Sequence, residues 1–176
     1  MMLASAIIGL TLMCSSGAYA QTAVSEEQTE EQKRLFSPSG LPIPRFVSLR
    51  SNKVFVRSGP ARRYPVKWVF RKKGLPVEII QEFDTWRKIK DHEEEEGWIH
   101  QSLLSGQRTI LTKAAQSIVL QNKPGDEGRA IARIEPNVVA ALEQCQEDWC
   151  QIEAQTYRGW SPRKFLWGIY AGEELE

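Results

Sequence analysis

Short apolar runs alternate with turn residues along most of the chain. They are rich in Val, Ile and aromatic residues, and Gly, Pro, Asn and Asp separate them, which is the pattern of short β-strands. No stretch shows a convincing helical period of apolar positions. The runs lie at 54–56, 68–70, 77–80 and 86–90, and again at 118–120, 130–134, 138–142 and 149–154. The pattern predicts an all-β protein.

Two segments of about sixty residues echo each other. Each contains Trp-x-x-Ile followed by Gly-Trp, formed by Trp86, Ile89, Gly97 and Trp98 in one and by Trp149, Ile152, Gly159 and Trp160 in the other. At similar offsets, Leu103-Leu104 matches Phe165-Leu166, and Pro76 matches Pro136. A repeat of this length predicts two copies of one small β-barrel. The short connection at 105–110 predicts that the copies lie in close contact.

The N-terminus has the features of an export signal. Residues 1–20 carry no charged side chain, and the apolar stretch from Leu3 to Met13 is too short to span a bilayer. Small residues flank a large one just before the end of this segment, which predicts cleavage after Ala20. The mature chain is then exported to the periplasm or cell envelope without a membrane span. A lipid anchor at Cys14 stays open as an alternative.

Composition shifts divide the rest of the chain. Residues 21–45 are first polar and then proline-rich, which predicts a flexible lead. The repeats place one barrel at 46–107 and the other at 108–170, and residues 171–176 remain as a C-terminal tail.

Two cysteines remain after the predicted cleavage, and they flank a short polar segment. Cys145 and Cys150 enclose four residues, so a hairpin with Glu147-Asp148 as its loop brings the two cysteines opposite each other. Cα atoms of such a pair are close enough for a disulfide. In an oxidising compartment the sequence therefore predicts a Cys145–Cys150 disulfide that holds the hairpin.

The first repeat carries a motif in addition to its strands. The motif consists of Val54-Phe55-Val56-Arg57-Ser58-Gly59-Pro60, Tyr64-Pro65-Val66, Gly74, Trp86-x-x-Ile89 and Gly97-Trp98-Ile99. It resembles the bacterial SH3 family, and the resemblance extends over residues 48–168. The resemblance implies two tandem SH3-like barrels of five strands each, used to bind peptides, cell-wall fragments or proteins, with no catalysis. In the second repeat Leu120-Gln121-Asn122-Lys123-Pro124 replaces the Arg-Ser-Gly-Pro element, which argues against a ligand contact by that loop.

Strand parity selects candidate ligand-binding residues. Trp86 and Ile89 are three positions apart, as are Trp149 and Ile152, so each tryptophan points to the face opposite its isoleucine. If the isoleucines face the core, Trp86 and Trp149 face outward, where a rigid aromatic surface can hold an extended peptide. The alternative is that both tryptophans cover a barrel end or the interface between repeats.

Two further residues complete the candidate site. Tyr64 would line a groove beside Trp86, and Arg57 would donate charged hydrogen bonds to a carboxylate ligand. Trp98 and Trp160 follow glycines and are expected in the core.

The sequence gives little reason to expect a metal, a cofactor or catalysis. The acidic run at 91–96 contains His92 and is best interpreted as a solvated hairpin tip. No phosphate-binding loop, zinc-protease motif or nucleophile elbow is present, so a non-enzyme is expected.

The overall charge is nearly neutral. With 23 Lys and Arg against 22 Asp and Glu, the net charge of +1 provides no broad field for nucleic acid or anionic polymers. The favoured function is an exported adaptor that binds a peptide or protein in the cell envelope. A peptidoglycan-binding module and a structural or regulatory subunit of an envelope enzyme are the alternatives.

Overall fold

Two antiparallel sheets form the protein, and α-helix is absent from the part of the chain described. The computed structural model describes residues 38–113, 115 and 117–175. The strands of the first sheet are β1 (Arg45–Leu49), β2 (Val54–Arg57), β3 (Val66–Phe70), β4 (Pro76–Phe83), β5 (Trp86–Lys90), β6 (Glu96–His100) and β7 (Leu104–Ser105). Their order is β3-β2-β6-β5-β4-β1-β7. A single 3₁₀ turn, Gln101–Leu103, joins β6 to β7.

The second sheet repeats the first strand for strand. Its members are β8 (Thr109–Thr112), β9 (Ile118–Gln121), β10 (Ala130–Ile134), β11 (Val139–Gln146), β12 (Trp149–Ala154), β13 (Tyr157–Pro162) and β14 (Leu166–Trp167). Their order, β10-β9-β13-β12-β11-β8-β14, matches that of the first sheet, and a second 3₁₀ turn, Arg163–Phe165, precedes β14. The predicted all-β fold with two tandem SH3-like barrels is confirmed. We call the two copies barrel 1 and barrel 2.

Two details differ from the sequence-based expectations. Each sheet has seven strands rather than five, because a strand at its start and a two-residue strand at its end extend it beside β4 and β11. The match of Pro76 with Pro136 is wrong. Strands β4 and β11 are equivalent in the two sheets, and Val139, the first residue of β11, is the residue equivalent to Pro76, the first residue of β4. Pro136 instead belongs to the turn before β11.

Alternating apolar side chains fill each barrel. Val54, Val56, Ile89 and Ile99 are fully buried in barrel 1, and their equivalents in barrel 2 include Leu120 and Ile152. These positions lie on the inner face, because side chains alternate between the two faces of a strand. Burying such side chains contributes about 1.5–3 kcal/mol each, which is what holds a barrel of this size together.

The predicted disulfide is confirmed. Cys145 and Cys150 are direct partners of β11 and β12, with Glu147 and Asp148 as the loop between the strands. Their Cα atoms are 4.1 Å apart, and the two sulfurs are bonded. The hairpin register alone is therefore sufficient to bring the thiols together.

The two barrels belong to one compact unit and pack closely. Leu111 of barrel 2 joins the apolar core of barrel 1, and Val139 packs against the same core. The hydroxyl of Thr109 donates a hydrogen bond to the carbonyl of Gly74, at 2.7 Å. Gly168 of barrel 2 also lies close to barrel 1, because a Cβ there would be 3.2 Å from the Cβ of Pro76. The short linker therefore joins barrels that share a packed interface.

Strand β14 and the segment after it make contacts with both barrels. Trp167 and Tyr170 pack on Phe46 of β1, with ring centroids 5.1 and 4.7 Å away, and the Tyr170 hydroxyl donates to Glu78 at 2.8 Å. The buried guanidinium of Arg163 donates to the carbonyls of Tyr170 and Glu173 at 2.7 and 2.8 Å. Beyond these residues, Leu175 forms an antiparallel bridge with Cys145.

The end of the predicted lead also contacts barrel 1. Ser39 donates from its backbone N–H and from its hydroxyl to the carboxylate of Glu82, at 3.0 and 2.7 Å. The predicted signal peptide at 1–20 and the first part of the lead, including Cys14, lie outside the described residues. No helix in the described part of the chain is long and apolar enough to cross a membrane.

Candidate functional site

The outward surface of barrel 1 carries two successive rows of side chains across its central strands. In one row Trp98 of β6 lies between Arg57 of β2 and Lys88 of β5. In the next row His100 of β6 pairs with Trp86 of β5. Since Val56, Ile89 and Ile99 are buried on the inner face, both rows point away from the core. We call this surface the outer face of barrel 1.

Tyr64 lies at one edge of this face, in the loop between β2 and β3. Its ring packs on Gly59 so closely that a Cβ at Gly59 would be 2.7 Å from ring carbons. Arg57 donates a hydrogen bond to the Tyr64 carbonyl at 2.8 Å, and the Arg63 guanidinium lies 5.3 Å from the centre of the Tyr64 ring. Arg57 and Tyr64, two of the predicted site residues, are therefore in direct contact.

Trp86 points outward, as strand parity predicts, but little of it is accessible. Only 8% of its surface is exposed, and its ring meets the ring of His100 edge-on at 5.5 Å. Phe83, its partner on β4, is 52% exposed. The accessible aromatic surface near Trp86 is therefore provided mainly by Phe83.

Trp149 belongs to barrel 2 and is separate from the other three site residues. It occupies the position equivalent to Trp86, but its neighbours are Gln146 and Pro162 rather than aromatic residues. The position of Arg57 is taken in barrel 2 by Gln121, which pairs with Trp160. Barrel 2 thus repeats the fold without the Arg57–Tyr64 pair.

Barrel 2 has a groove of its own beside β9. It measures about 540 Å³ and is lined mostly by apolar side chains, among them Val119, Pro162 and Phe165. The ammonium of the neighbouring Lys164 lies 5.1 Å from the centre of the Phe165 ring. Gln121, which occupies the position equivalent to Arg57 and pairs with Trp160 of β13, also lines this groove.

The acidic run at 91–96 forms the tip of the β5–β6 hairpin. Glu93, Glu94 and Glu95 are exposed, while the buried Asp91 accepts hydrogen bonds from the backbone N–H groups of Glu93 and Glu95 at 3.0 Å each. Asp91 is therefore committed to shaping the turn. Among the described residues no group of three or more His, Cys, Asp or Glu side chains is placed to hold a metal ion.

The most perturbed carboxylate lies at one end of barrel 1. Burial by itself would raise the pKa of Glu82, but hydrogen bonds from Arg45 and Ser39 outweigh it and lower the pKa from 4.5 to about 2. Arg87 adds an ion pair at 3.1 Å. Because Glu82 is ionised and enclosed by these donors, it serves to attach the segment before β1 rather than to transfer protons.

A second buried carboxylate binds the C-terminal segment. Glu78 accepts from the Tyr170 hydroxyl and pairs with Lys90 at 3.1 Å. Burial, together with this hydrogen bond, raises the pKa of Tyr170 well above its usual range. The hydrogen bond to Glu78 likewise raises the pKa of Lys90. These groups stabilise the contact between the barrels.

Sequence reasoning missed three residues of the outer face. Trp160 is buried as expected, but Trp98 is half-buried and points outward, together with His100 and Phe83. The signal was present, because Ile99 is an inner residue and its two neighbours must face outward. The preceding glycine had favoured a core assignment instead.

Comparison with protein families agrees with the architecture. The family model described as the bacterial SH3 domain matches residues 50–106 and again residues 114–168. Solved structures of NlpC1 and NlpC2 from Trichomonas vaginalis match at 14% and 12% identity, each with a TM-score of 0.33.

These matches cover 75% and 74% of this chain, which spans about half the length of each, 49% and 50%. No curated protein matches the chain. Since the family model matches well over half of the sequence, in two copies that coincide with the two sheets, the chain belongs to the bacterial SH3 domain family.

Proposed function

We propose that this protein is an exported, non-enzymatic binding module that recognises a peptide or protein partner in the cell envelope through the outer face of barrel 1. The observation that carries the proposal is the grouping of Arg57, Tyr64 and Trp98 on one surface, with Phe83 exposed beside Trp86. Aromatic and arginine side chains dominate the energetics of most protein interfaces.

The chemistry of the site fits an extended ligand. Tyr64 is fixed by its packing on Gly59 and by the bond from Arg57, so a ligand stacking on its ring immobilises little further. The guanidinium of Arg57 donates one N–H to the Tyr64 carbonyl, and its other N–H groups can bind a carboxylate or a peptide carbonyl of the ligand. Trp86 and Trp149 complete the proposed set of ligand-binding residues. Trp86 would contact a ligand at the margin of the outer face, and Trp149 would contact one on barrel 2.

Export is supported by two features. The Cys145–Cys150 disulfide is typical of proteins in oxidising compartments. Residues 1–20 have the composition of a signal peptide, with cleavage after Ala20 and a lipid anchor at Cys14 as the alternative. In this proposal barrel 2 docks on barrel 1 and stabilises it.

The test is capture of partners in vivo by the full chain carrying a C-terminal tag. Cells are cross-linked, and tagged protein is purified from the envelope fraction for the unsubstituted chain, for Arg57→Ala/Tyr64→Ala and for Tyr157→Ala. Tyr157 is the matched control, because it is 51% exposed and lies on barrel 2. We expect the same partner with the unsubstituted chain and the control, and its loss with the double variant.

Two results would contradict the proposal. If the double variant captures the partner unchanged, the outer face of barrel 1 is not the binding surface. If purified sacculi alone retain the protein in a manner that depends on Tyr64, the ligand is peptidoglycan and the alternative function is correct.

A further inference from the structure

The positive charges of barrel 1 are segregated along the chain. Residues 50–73 contain nine Lys and Arg and no Asp or Glu, although the whole chain is nearly neutral. None of the nine pairs with a carboxylate in the described part of the chain. Among the other described residues, seven cationic side chains do so, namely Arg45, Arg87, Lys88, Lys90, Arg108, Lys123 and Arg158. Residues 50–73, which we call the basic edge, therefore carry charge that no carboxylate described in the chain neutralises.

These charges form two groups at opposite ends of the β2–β3 hairpin. One group consists of Arg50, Lys53, Arg71, Lys72 and Lys73, and the other of Arg57, Arg62, Arg63 and Lys67. The backbone N–H of Lys73 donates to the side chain of Asn52 at 3.0 Å, which joins the loop before β2 to the residues after β3. Along the chain the nearest members of the two groups, Lys67 and Arg71, are four residues apart, which is about 13 Å at 3.3–3.4 Å per residue.

Apolar side chains occupy the space between the two groups. Phe55 and Val66 are each 40% exposed, and Val69 is the direct partner of Phe55 across the hairpin. The ammonium of Lys53 lies over the Phe55 ring at 5.1 Å. A ligand that follows the hairpin would therefore meet charge, then apolar surface, then charge.

The hairpin also ends the sheet. β3 is the outermost strand, with β2 on one side and no strand of the described chain on the other. Alternate N–H and C=O groups of such a strand point away from the sheet and can pair with an added strand. Lysines and arginines along this edge disfavour pairing with the same strand of a second copy, because like charges repel. They favour pairing with a strand that carries acidic side chains.

We propose that the basic edge docks an extended acidic segment of a partner protein, which adds as a strand to β3 and places carboxylates on both cationic groups. This rests on the proposed function and specifies the partner's chemistry. Peptide strands that extend a sheet gain affinity from main-chain hydrogen bonds and specificity from alternate side chains. On the basic edge, specificity would come from the cationic groups at the two ends of the hairpin and from the apolar side chains between them.

Other occupants fit the observations less well. An anionic bilayer or glycan would use the charges but would leave the N–H and C=O groups of β3 unpaired. A second copy of this chain would offer its acidic hairpin tip, but Glu94 and Glu96 are already paired with Lys90 and Lys88. An acidic polypeptide strand satisfies both the charges and the backbone groups.

The experiment uses the full chain and synthetic ten-residue peptides, with binding followed by fluorescence anisotropy at low salt. The probe peptide has two glutamates at each end and alternating valine and threonine between them. One comparison peptide has lysines in place of the glutamates, and another has N-methylated amides at alternate residues. We expect binding of the probe that weakens as salt is added, no binding of the lysine peptide, and at least about ten-fold weaker binding of the N-methylated one.

Charge-reversal variants locate the site. Arg62→Glu/Arg63→Glu should weaken probe binding about ten-fold or more, since two attractions become repulsions. Arg129→Glu/Arg133→Glu changes the equivalent hairpin of barrel 2 and should leave binding within about two-fold. Thermal unfolding of both variants checks that these surface changes leave the fold intact.

Several results would overturn the inference. They are absence of probe binding up to about 1 mM, equal binding of the N-methylated peptide, and equal loss from the barrel 2 variant. Binding of phosphatidylglycerol vesicles through the basic edge, without binding of the probe, would identify a membrane surface instead. If only the inference about the basic edge fails, capture of the envelope partner still depends on Tyr64. If the proposed function itself is wrong, capture does not depend on Tyr64.

Discussion

Replacing Glu82 with glutamine removes a negative charge from a buried cluster of barrel 1. Glu82 is 1% exposed, and two guanidinium groups and Ser39 surround it. In Glu82→Gln the side chain keeps its size but loses its charge. Arg87, itself 5% exposed, then loses its ion pair with Glu82 and keeps only the weaker attraction of Asp84.

The cost follows from the shifted pKa. The Glu82 carboxyl has a pKa of about 2 in the folded protein against an ordinary value of 4.5. A difference of about 2.5 units corresponds to about 3 kcal/mol at neutral pH, at 1.36 kcal/mol per unit. Breaking a buried ion pair by removing one partner costs about 3–5 kcal/mol, which agrees.

The sign of the pH dependence is fixed by the lowered pKa. Stability from an ionised Glu82 is fully present above pH 4.5 and is lost as the pH falls toward 2. We therefore expect Glu82→Gln to be about 3 kcal/mol less stable than the unsubstituted protein at pH 7, with the difference narrowing steadily below about pH 4.5.

Urea unfolding followed by tryptophan fluorescence measures this difference at pH 7, 5, 4 and 3. Glu93→Gln is the control, because Glu93 is exposed at the acidic hairpin tip and its change should stay within about 0.5 kcal/mol. A difference between Glu82→Gln and the unsubstituted protein that is the same at every pH would refute the reasoning. So would a loss at pH 7 no larger than that of the control.

Three further changes test the contacts that hold the chain together. Replacing Cys145 and Cys150 with serine should lower the free energy of unfolding by about 2 kcal/mol, the chain-entropy value for so short a loop, and an unchanged urea midpoint would contradict this. Gly168→Ala should cost at least about 2 kcal/mol in the same assay, because the residue has φ of +113° and the added methyl group meets the carbonyl oxygen of Thr109; stability equal to the unsubstituted protein would contradict this close approach of the two backbone segments. Tyr170→Phe should cost about 1–2 kcal/mol by leaving Glu78 one donor short, and a melting temperature that does not fall would show that this bond contributes nothing.

Local patterns were sufficient to predict the repeated sheet. Runs of Val and Ile locate the inner face, and the turn residues between them separate the central strands, whereas the two-residue strands β7 and β14 are too short to show in the pattern. The disulfide followed from hairpin register alone, because Cys145 and Cys150 lie at equal distances from a two-residue loop. Strands, turns and hairpin register depend on residues that are close in sequence, so they can be predicted from the sequence alone.

Contacts between distant residues were not visible in the same way. The pairing of Glu82 with Arg45 and Ser39, and of Glu78 with Tyr170, joins residues about 40 and about 90 positions apart. Charged residues at such positions look like ordinary surface residues until the chain is folded. Residues 171–176 likewise appeared as a tail, although Arg163 donates a hydrogen bond to the carbonyl of Glu173.

Net charge concealed the distribution of charge. A sum of +1 argued against any electrostatic preference, yet the cations of residues 50–73 are collected on one hairpin, while the acids lie on other elements. Only strand order shows that this hairpin forms the edge of a sheet. The candidate site was therefore half predictable: parity identified the outer face, but the exposure of Phe83 and the burial of Trp86 required the structure.

The most direct test of the account places a photo-activatable cross-linking amino acid at position 64 of the tagged full chain, and at position 157 as the control. Both natural residues are tyrosines, one on the outer face of barrel 1 and one exposed on barrel 2. Irradiation of intact cells should give a discrete envelope-protein adduct from position 64 and none from position 157. An adduct from position 157 alone, or the same adduct from both positions, would contradict the claim that barrel 1 is the binding barrel.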